Sequence, residues 1–314
     1  MIPSQSLFYN IYGIGESLVA GSGGSVLFTR QKILIHLIRE LGGNVSRLST
    51  VKLCFLLSTE TESRGGNAFY DFLPYKYGPF SFCLYQEVSR LARDGLIEES
   101  KRHLSLTSCS NSLGIEIPIS ISAQIGKLLE TYGNYCEKRL IQYVYQNYPW
   151  YTVNSVDDPR IKRPSAEPAI YTAGYEKTSV DRFLDTLLRS GIRTILDIRS
   201  NPVSRRYGFH KSTLSRLAEN VGLRYWHFPE LGITSQRRKN VDTLQDRIKL
   251  LDSYENCDLP SKSDFIGEIS GLLTMEPSVL VCSELDHNLC HRSRLAKWCK
   301  SRTGLPIVHL VSAT

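Results

Sequence analysis

No apolar run in the 314-residue sequence approaches the ~20 residues that cross a bilayer, so no membrane partner is expected. The N-terminus lacks a basic stretch followed by an apolar one, so no secretory signal is expected. The eight cysteines are scattered, and none stands in a Cys-x2-Cys pair. That spacing argues against a secreted disulfide scaffold and for a reduced, cytoplasmic setting. The first half has little net charge: residues 1–160 hold 15 Lys and Arg against 14 Asp and Glu. Residues 161–314 hold 23 against 17, so nearly all of the +7 excess lies there. Such a bias suits either an anion-directed field or a plain solvated surface. Otherwise the composition, 41% hydrophobic and 22% charged, is that of an ordinary soluble protein long enough for two cores.

Reactive side chains, by contrast, are dense near the C-terminus. The run Val279–Val281 has the apolar character of a strand buried on both faces, and Ser293–Lys300 has the pattern of an amphipathic helix. Between them lie Cys282, Glu284, Asp286, His287, Cys290, His291 and Arg292. A strand entering a helix through such a loop places these groups at the carboxyl edge of a sheet, beside a helix N-terminus that favours anions.

In chain order, residues 21–25 read Gly-Ser-Gly-Gly-Ser, a flexible segment. Thr29 can cap a helix with Ile33, Leu34, Leu37, Ile38 and Leu41 on one face, stopped by Gly42-Gly43. A second helix is expected over Leu48–Leu57, and a third carries Leu84, Val88, Leu91 and Ala92. Leu96–Glu98 and His103–Thr107 read as two short strands. Three helices and a two-stranded wing are the order of a winged helix. The Leu-Gly-Gly helix end at 41–43, the Tyr75-Lys-Tyr-Gly-Pro-Phe80 motif, the Asp94–Glu98 turn and Tyr148–Ser155 together resemble the YwgA-like domains, related in pattern to the Panacea antitoxin domains. The resemblance covers 29–155 and implies a recognition module for DNA or protein. The aromatic motif equally suits packing around a Gly-Pro turn. Near-neutral charge argues against tight non-specific DNA binding.

Residues 156–168 carry three prolines and read as a linker. From 169 to 314 strand and helix signals alternate. Strands are expected at Ala169–Tyr175, Thr194–Arg199, Leu223–Phe228, Ser278–Cys282 and Pro306–Val311. This pattern predicts an α/β domain with a mainly parallel sheet and flanking helices, joined to a mostly α, winged-helix-like first domain. Polar clusters follow three of the strands. They are Tyr175-Glu176; Asp197, Arg199 and Asn201 with Ser204, Arg205 and Lys211; and the Cys282–Ser293 loop. With Pro229-Glu230-Leu231-Gly232, these motifs resemble the family called Domain of Unknown Function 488 over residues 168–314. The resemblance implies an α/β fold and a shared polar pocket, without a reaction.

The residue types themselves suggest chemistry. Arg199, Arg205, Lys211 and Arg292 can surround a phosphate, with Tyr175, Glu176, Asn201, Ser204, Glu230 and Ser293 lining the same crevice. Asp197, Glu284, Cys290 and His291 are the candidate catalytic residues, as general acid, general base or nucleophile. Against this, Asp197, Arg199 and Arg292 equally suit a structural ion network. Cys290 and His291, adjacent in a helix, do not face each other. Neither Cys282 nor Cys290 has the Cys-x5-Arg spacing of phosphatases and rhodaneses. No cofactor or resident metal is expected; the alternative is zinc on Cys282, His287, Cys290 and His291, which lack paired structural spacing. The expected function is a hydrolase- or transferase-type enzyme acting on a nucleotide or nucleic acid, targeted by the first domain. The competing reading is a DNA-binding regulator or defence-related sensor whose second domain binds a nucleotide ligand.

Overall fold

The computed structural model describes residues 27–239 and 241–311, so the glycine-serine stretch at 21–25 lies outside the described residues. The elements begin with α1 (Thr29–Glu40), β1 (Asn44–Ser46), α2 (Arg47–Glu60), β2 (Leu73–Tyr75) and β3 (Gly78–Phe80). Next come α3 (Phe82–Arg93), β4 (Ile97–Glu99), β5 (His103–Leu106), α4 (Ser108–Ser112), α5 (Ile119–Tyr132) and α6 (Glu137–Asn147). They continue with β6 (Ile170–Gly174), α7 (Val180–Arg189), β7 (Thr194–Asp197), α8 (Lys211–Asn220) and β8 (Arg224–His227). The last are α9 (Leu244–Ser253), α10 (Ser263–Met275), β9 (Ser278–Cys282), α11 (His291–Thr303) and β10 (Ile307–Leu310). Two compact units result, one reaching Tyr70 and including Leu84–Leu140, the other comprising Asp71–Cys83 and Ile141 onward. Among the described residues no helix is long and apolar enough to cross a membrane.

The first unit is mostly helical, with a small antiparallel sheet in the order β1-β5-β4. Thr29 is the first helical residue rather than the cap; Phe28 holds that position, and its N–H donates to Gln31 Oε1 at 2.8 Å. Strand β1, only three residues long, was too short to show a period in the sequence. Helix α2 is buried from Thr50 to Leu57, and this run includes Lys52. Burial pulls the Lys52 ammonium down from 10.5 to about 7. The unfolded chain therefore binds more protons than the folded one between pH 7 and 10.5, and stability rises with pH across that window. Below pH 7 the whole penalty is present. Lys52→Met is expected to raise the melting temperature at pH 6 and to flatten its rise towards pH 10, by thermal unfolding at both values. An unchanged melting temperature at pH 6 would mean that the ammonium is adequately solvated.

In the second unit the five foreseen strands are present with frayed ends trimmed, all parallel, in the order β10-β6-β9-β7-β8. The central strands β6, β9 and β7 are buried throughout, so they are mainly apolar, with Thr172, Thr194, Asp197 and Ser278 as buried polar members. Alternate side chains serve two cores. Tyr171, Ala173, Ile195, Val279 and Val281 meet the α7 and α8 residues Phe183, Leu187, Leu214 and Leu217. Ile170, Leu196 and Leu280 meet Ile266, Ile269, Leu295 and Ala296 of α10 and α11. Helix α9 was not foreseen, although Leu244, Ile248 and Leu251 stand at helical spacing; of these Leu251 is buried and the other two are exposed.

The aromatic hairpin β2–β3, expected with the first domain, groups instead with the second unit. Leu73, Tyr75 and Phe82 share the core with Phe183 and Leu184. The buried Asp181 carboxylate accepts from Ser81 Oγ (3.0 Å), Phe82 N–H (2.7 Å) and Cys83 N–H (3.0 Å), fastening the end of the hairpin segment within the second unit. The proline-rich segment is irregular, and Arg163 ties it to the Ile192 and Gly222 carbonyls at 2.6 and 2.9 Å.

Candidate functional site

The chain leaves β6 for β7 across the position later filled by β9, so three strand ends meet at the middle of the sheet. The parallel registers set Gly174 beside Cys282, and Asp197 beside Val281. A reversal of strand order of this kind opens a crevice at the carboxyl edge. After β9 the loop makes a short 3-10 turn at His287–Leu289, and α11 starts at His291.

Four side chains from this loop converge. Cys282 Sγ, a Glu284 carboxylate oxygen, Cys290 Sγ and a His291 ring nitrogen all lie within 4.8 Å of one another. Both thiols donate to the same atom, Glu284 Oε2, at 2.9 and 3.1 Å. His291 Nε2 donates to the Ile198 carbonyl at 3.1 Å. A carbonyl can only accept, which fixes the tautomer and leaves Nδ1 facing Cys282 Sγ (3.6 Å) and Cys290 Sγ (3.9 Å). Cys290 and His291 thus meet around Cys282, despite the unfavourable spacing of helical neighbours.

The electrostatics follow from that packing. Burial alone would raise Glu284, but the two thiol hydrogen bonds and the neighbouring imidazole outweigh it and hold the carboxyl at about 2. Burial likewise opposes ionisation of Cys282, yet the neighbouring Cys290 thiol and His291 imidazole outweigh it and lower its pKa from the ordinary thiol value. Burial and the nearby Cys282 push Cys290 upward. The thiols therefore titrate as a pair, the first proton leaving readily and the second retained.

Asp197 and Arg199 occupy the adjacent strand end. Asp197 is fully buried and accepts from Arg199 Nε and N–H at 2.8 and 3.1 Å, from Arg199 Nη2 at 2.5 Å, and from the Tyr225 hydroxyl at 2.5 Å. Arg199 Nη1 donates to the Tyr175 hydroxyl (2.7 Å) and the Phe209 carbonyl (2.8 Å), while the Tyr175 ring stacks on Phe209. Arg292 is also buried, with its guanidinium donating to the Glu284 and Leu285 carbonyls. These two arginines hold the loops together and present no open fork to solvent. Glu176 accepts from Leu285 N–H at 3.0 Å, and Ser293 Oγ donates to the His287 carbonyl, so both fasten the loop. Ser204 accepts from Arg206 N–H at 3.1 Å. Asn201, Arg205, Lys211 and Glu230 are exposed. His287 stands apart from the four-residue cluster, its ring stacked on His309 at 3.6 Å.

Several neighbours were missed in the sequence. Tyr225 holds Asp197, His227 Nε2 donates to the Arg199 carbonyl at 2.8 Å, and Arg247 lies 3.5 Å from Glu284. Tyr225 and His227 alternate along β8, a period-2 pair that could have signalled a polar face. They line an open hollow of about 550 Å³ with His210, Lys211, Arg216 and the exposed Trp226. The hollow lies on the β8 side of the Asp197–Arg199 segment, and the thiol cluster on the β9 side.

Residues 179–299 match the family model described as Domain of unknown function DUF488. The DUF488 match falls wholly within the second unit and covers Asp197, Arg199 and all four members of the cluster. It is narrower than the 168–314 of the sequence resemblance, leaving out Gly174, Tyr175 and β10. The resemblance drawn for residues 29–155 gains no support from a family model. No curated protein and no solved structure gives a match.

Proposed function

We propose that the second unit is the catalytic part of an enzyme that hydrolyses or transfers a group on a phosphate-bearing nucleotide or nucleic acid. The observation that carries this reading is the placement of a buried, ionisable thiol–carboxylate–imidazole cluster and an open basic-aromatic hollow on the two sides of one strand end. Trp226 offers a face on which a base can stack; Lys211 and Arg216 offer charge to a phosphate. Glu284, Cys282, Cys290 and His291 supply the acid, base or nucleophile.

The first unit is read as the targeting module, of winged-helix type. Its support is the order helix, strand, helix, helix and hairpin, with Lys101, Arg102 and His103 at the hairpin turn. The donation of the Arg199 and Arg292 guanidinium ends to internal oxygens favours a second reading, a nucleotide-binding sensor without turnover.

The test is incubation of the full chain with labelled nucleotides, DNA and RNA oligonucleotides. Turnover is expected, abolished by Glu284→Gln with the fold intact. Trp226→Ala is expected to raise KM about 10- to 100-fold with little change in kcat, because base–aromatic stacking contributes ~1–3 kcal/mol. Saturable binding without product would replace the enzyme with the sensor, and no binding to any of these ligands would end both.

A further inference from the structure

We infer that Cys282, Cys290, His291 and Glu284 form a binding site for one divalent cation of the zinc type. The donors are two sulfurs, one imidazole nitrogen and one carboxylate oxygen, the set that borderline-soft Zn2+ takes. They come from a strand end, the loop after it and a helix start, so the sheet fixes them from two sides. The inference goes beyond the proposed activity and does not need it.

The geometry is close to what an ion requires. Bond lengths of ~2.3 Å to sulfur and ~2.0 Å to nitrogen give a tetrahedron whose sulfur–nitrogen edge is about 3.5 Å. The two sulfurs lie 3.6 and 3.9 Å from His291 Nδ1. The sulfur–carboxylate separations of 2.9 and 3.1 Å must open by a few tenths of an ångström, which the Glu284 side chain can supply by rotation. His291 is already oriented as a ligand. Its Nε2–H is fixed on the Ile198 carbonyl, so the Nδ1 lone pair points at the sulfurs. The Tyr254 ring packs nearly perpendicular to the imidazole, with centroids 5.5 Å apart and planes at 82°.

The charge balance is also suitable. Binding takes both sulfurs as thiolates, any proton they still carry passing to solvent, and leaves two thiolates, one carboxylate and a neutral imidazole around a dication. The residual single negative charge lies beside Arg247 and Arg292. Both sulfurs and the imidazole are buried, whereas the Glu284 side chain keeps 18% exposure. Three inner donors and one replaceable carboxylate at the open side are the layout of a site that can admit water or substrate.

The ligand set differs from the Cys282, His287, Cys290 and His291 combination suggested by residue type alone. Glu284 takes the place of His287, whose ring is occupied with His309. This substitution makes the inference testable residue by residue. The full chain, reduced and stripped with a chelator, is titrated with Zn2+ against a chromophoric competitor and, separately, with Co2+. One equivalent per chain, a rise in melting temperature and a thiolate-to-cobalt charge-transfer band are expected. Cys290→Ser and His291→Ala are each expected to weaken Zn2+ about 100-fold or more, and Glu284→Gln about tenfold. His287→Ala is expected to leave affinity unchanged. Should Cys290→Ser or His291→Ala fail to fold, the Co2+ spectra of the wild type and the Glu284→Gln and His287→Ala comparison still decide. Absence of stoichiometric binding by the reduced wild type, or loss of binding in His287→Ala, would overturn the site. Because no substrate is used, failure of the turnover assay leaves this result intact, and the reverse also holds.

Discussion

Asp197→Ala is expected to destabilise the second unit by ~3–5 kcal/mol, because it leaves the buried Arg199 guanidinium without its counter-charge. Arg199 is only 4% exposed and its Nε and Nη2 both end on Asp197. Burial works against the charged guanidinium, and the carboxylate more than offsets it, so the arginine is held firmly protonated. With the carboxylate gone, Nη1 retains the Tyr175 hydroxyl and the Phe209 carbonyl, but the other two donors have no acceptor. Tyr225 loses its partner as well. Asp197→Asn keeps the shape and one acceptor and is expected to cost less, ~2 kcal/mol. Urea unfolding of the three proteins gives the comparison. The double change Asp197→Leu with Arg199→Met is expected to recover much of the loss, since a well-packed apolar pair removes the buried charges together. If Asp197→Ala instead unfolded at the wild-type urea concentration and lost only turnover, Asp197 would be a catalytic residue reached by substrate.

This pair also shows what the sequence could and could not convey. The central strands were legible because buried parallel strands demand apolar runs, as in Val279–Val281 and Ile195–Leu196. The segments around 175, 199 and 290 were expected to meet at one hollow; Tyr175, Asp197 and Arg199 meet through direct hydrogen bonds and His291 reaches the Ile198 carbonyl, whereas the open hollow is lined by other residues. Which groups face inward was not legible. Arg199 and Arg292, read as candidate phosphate forks, donate to internal oxygens, because the crossing loops carry carbonyls that no strand neighbour satisfies. His287 and Glu284 differ by three positions, and only the 3-10 turn at His287–Leu289 decides which of them turns toward the sulfurs. The placement of the aromatic hairpin depended on Asp181, a carboxylate a hundred residues away in sequence from Ser81. Contacts of that range leave no periodic trace.

Gly174→Ala is the second large effect, expected to cost at least ~3 kcal/mol and to disorder the thiol cluster together with the strand end. Gly174 is the last residue of β6 and pairs in register with Cys282. A Cβ there would overlap the Glu284 carbonyl and come within 3.1 Å of Arg292 Nη1. The contact is with backbone, so no side-chain rotation relieves it. The loop must lift, and lifting it withdraws the Glu284 and Leu285 carbonyls from the buried Arg292. Glu284 would then leave the two sulfurs, whereas His291 would stay on the Ile198 carbonyl. The expected signature is therefore double: a lower urea midpoint, and Zn2+ affinity reduced at least as far as in Glu284→Gln. Ala173→Gly serves as the control, since that side chain faces the opposite core and its loss costs only packing and chain entropy, ~1 kcal/mol. A Gly174→Ala protein with wild-type midpoint and wild-type metal affinity would show that the loop is soft enough to yield, and the rigid positioning of Glu284 by the strand end would have to be abandoned.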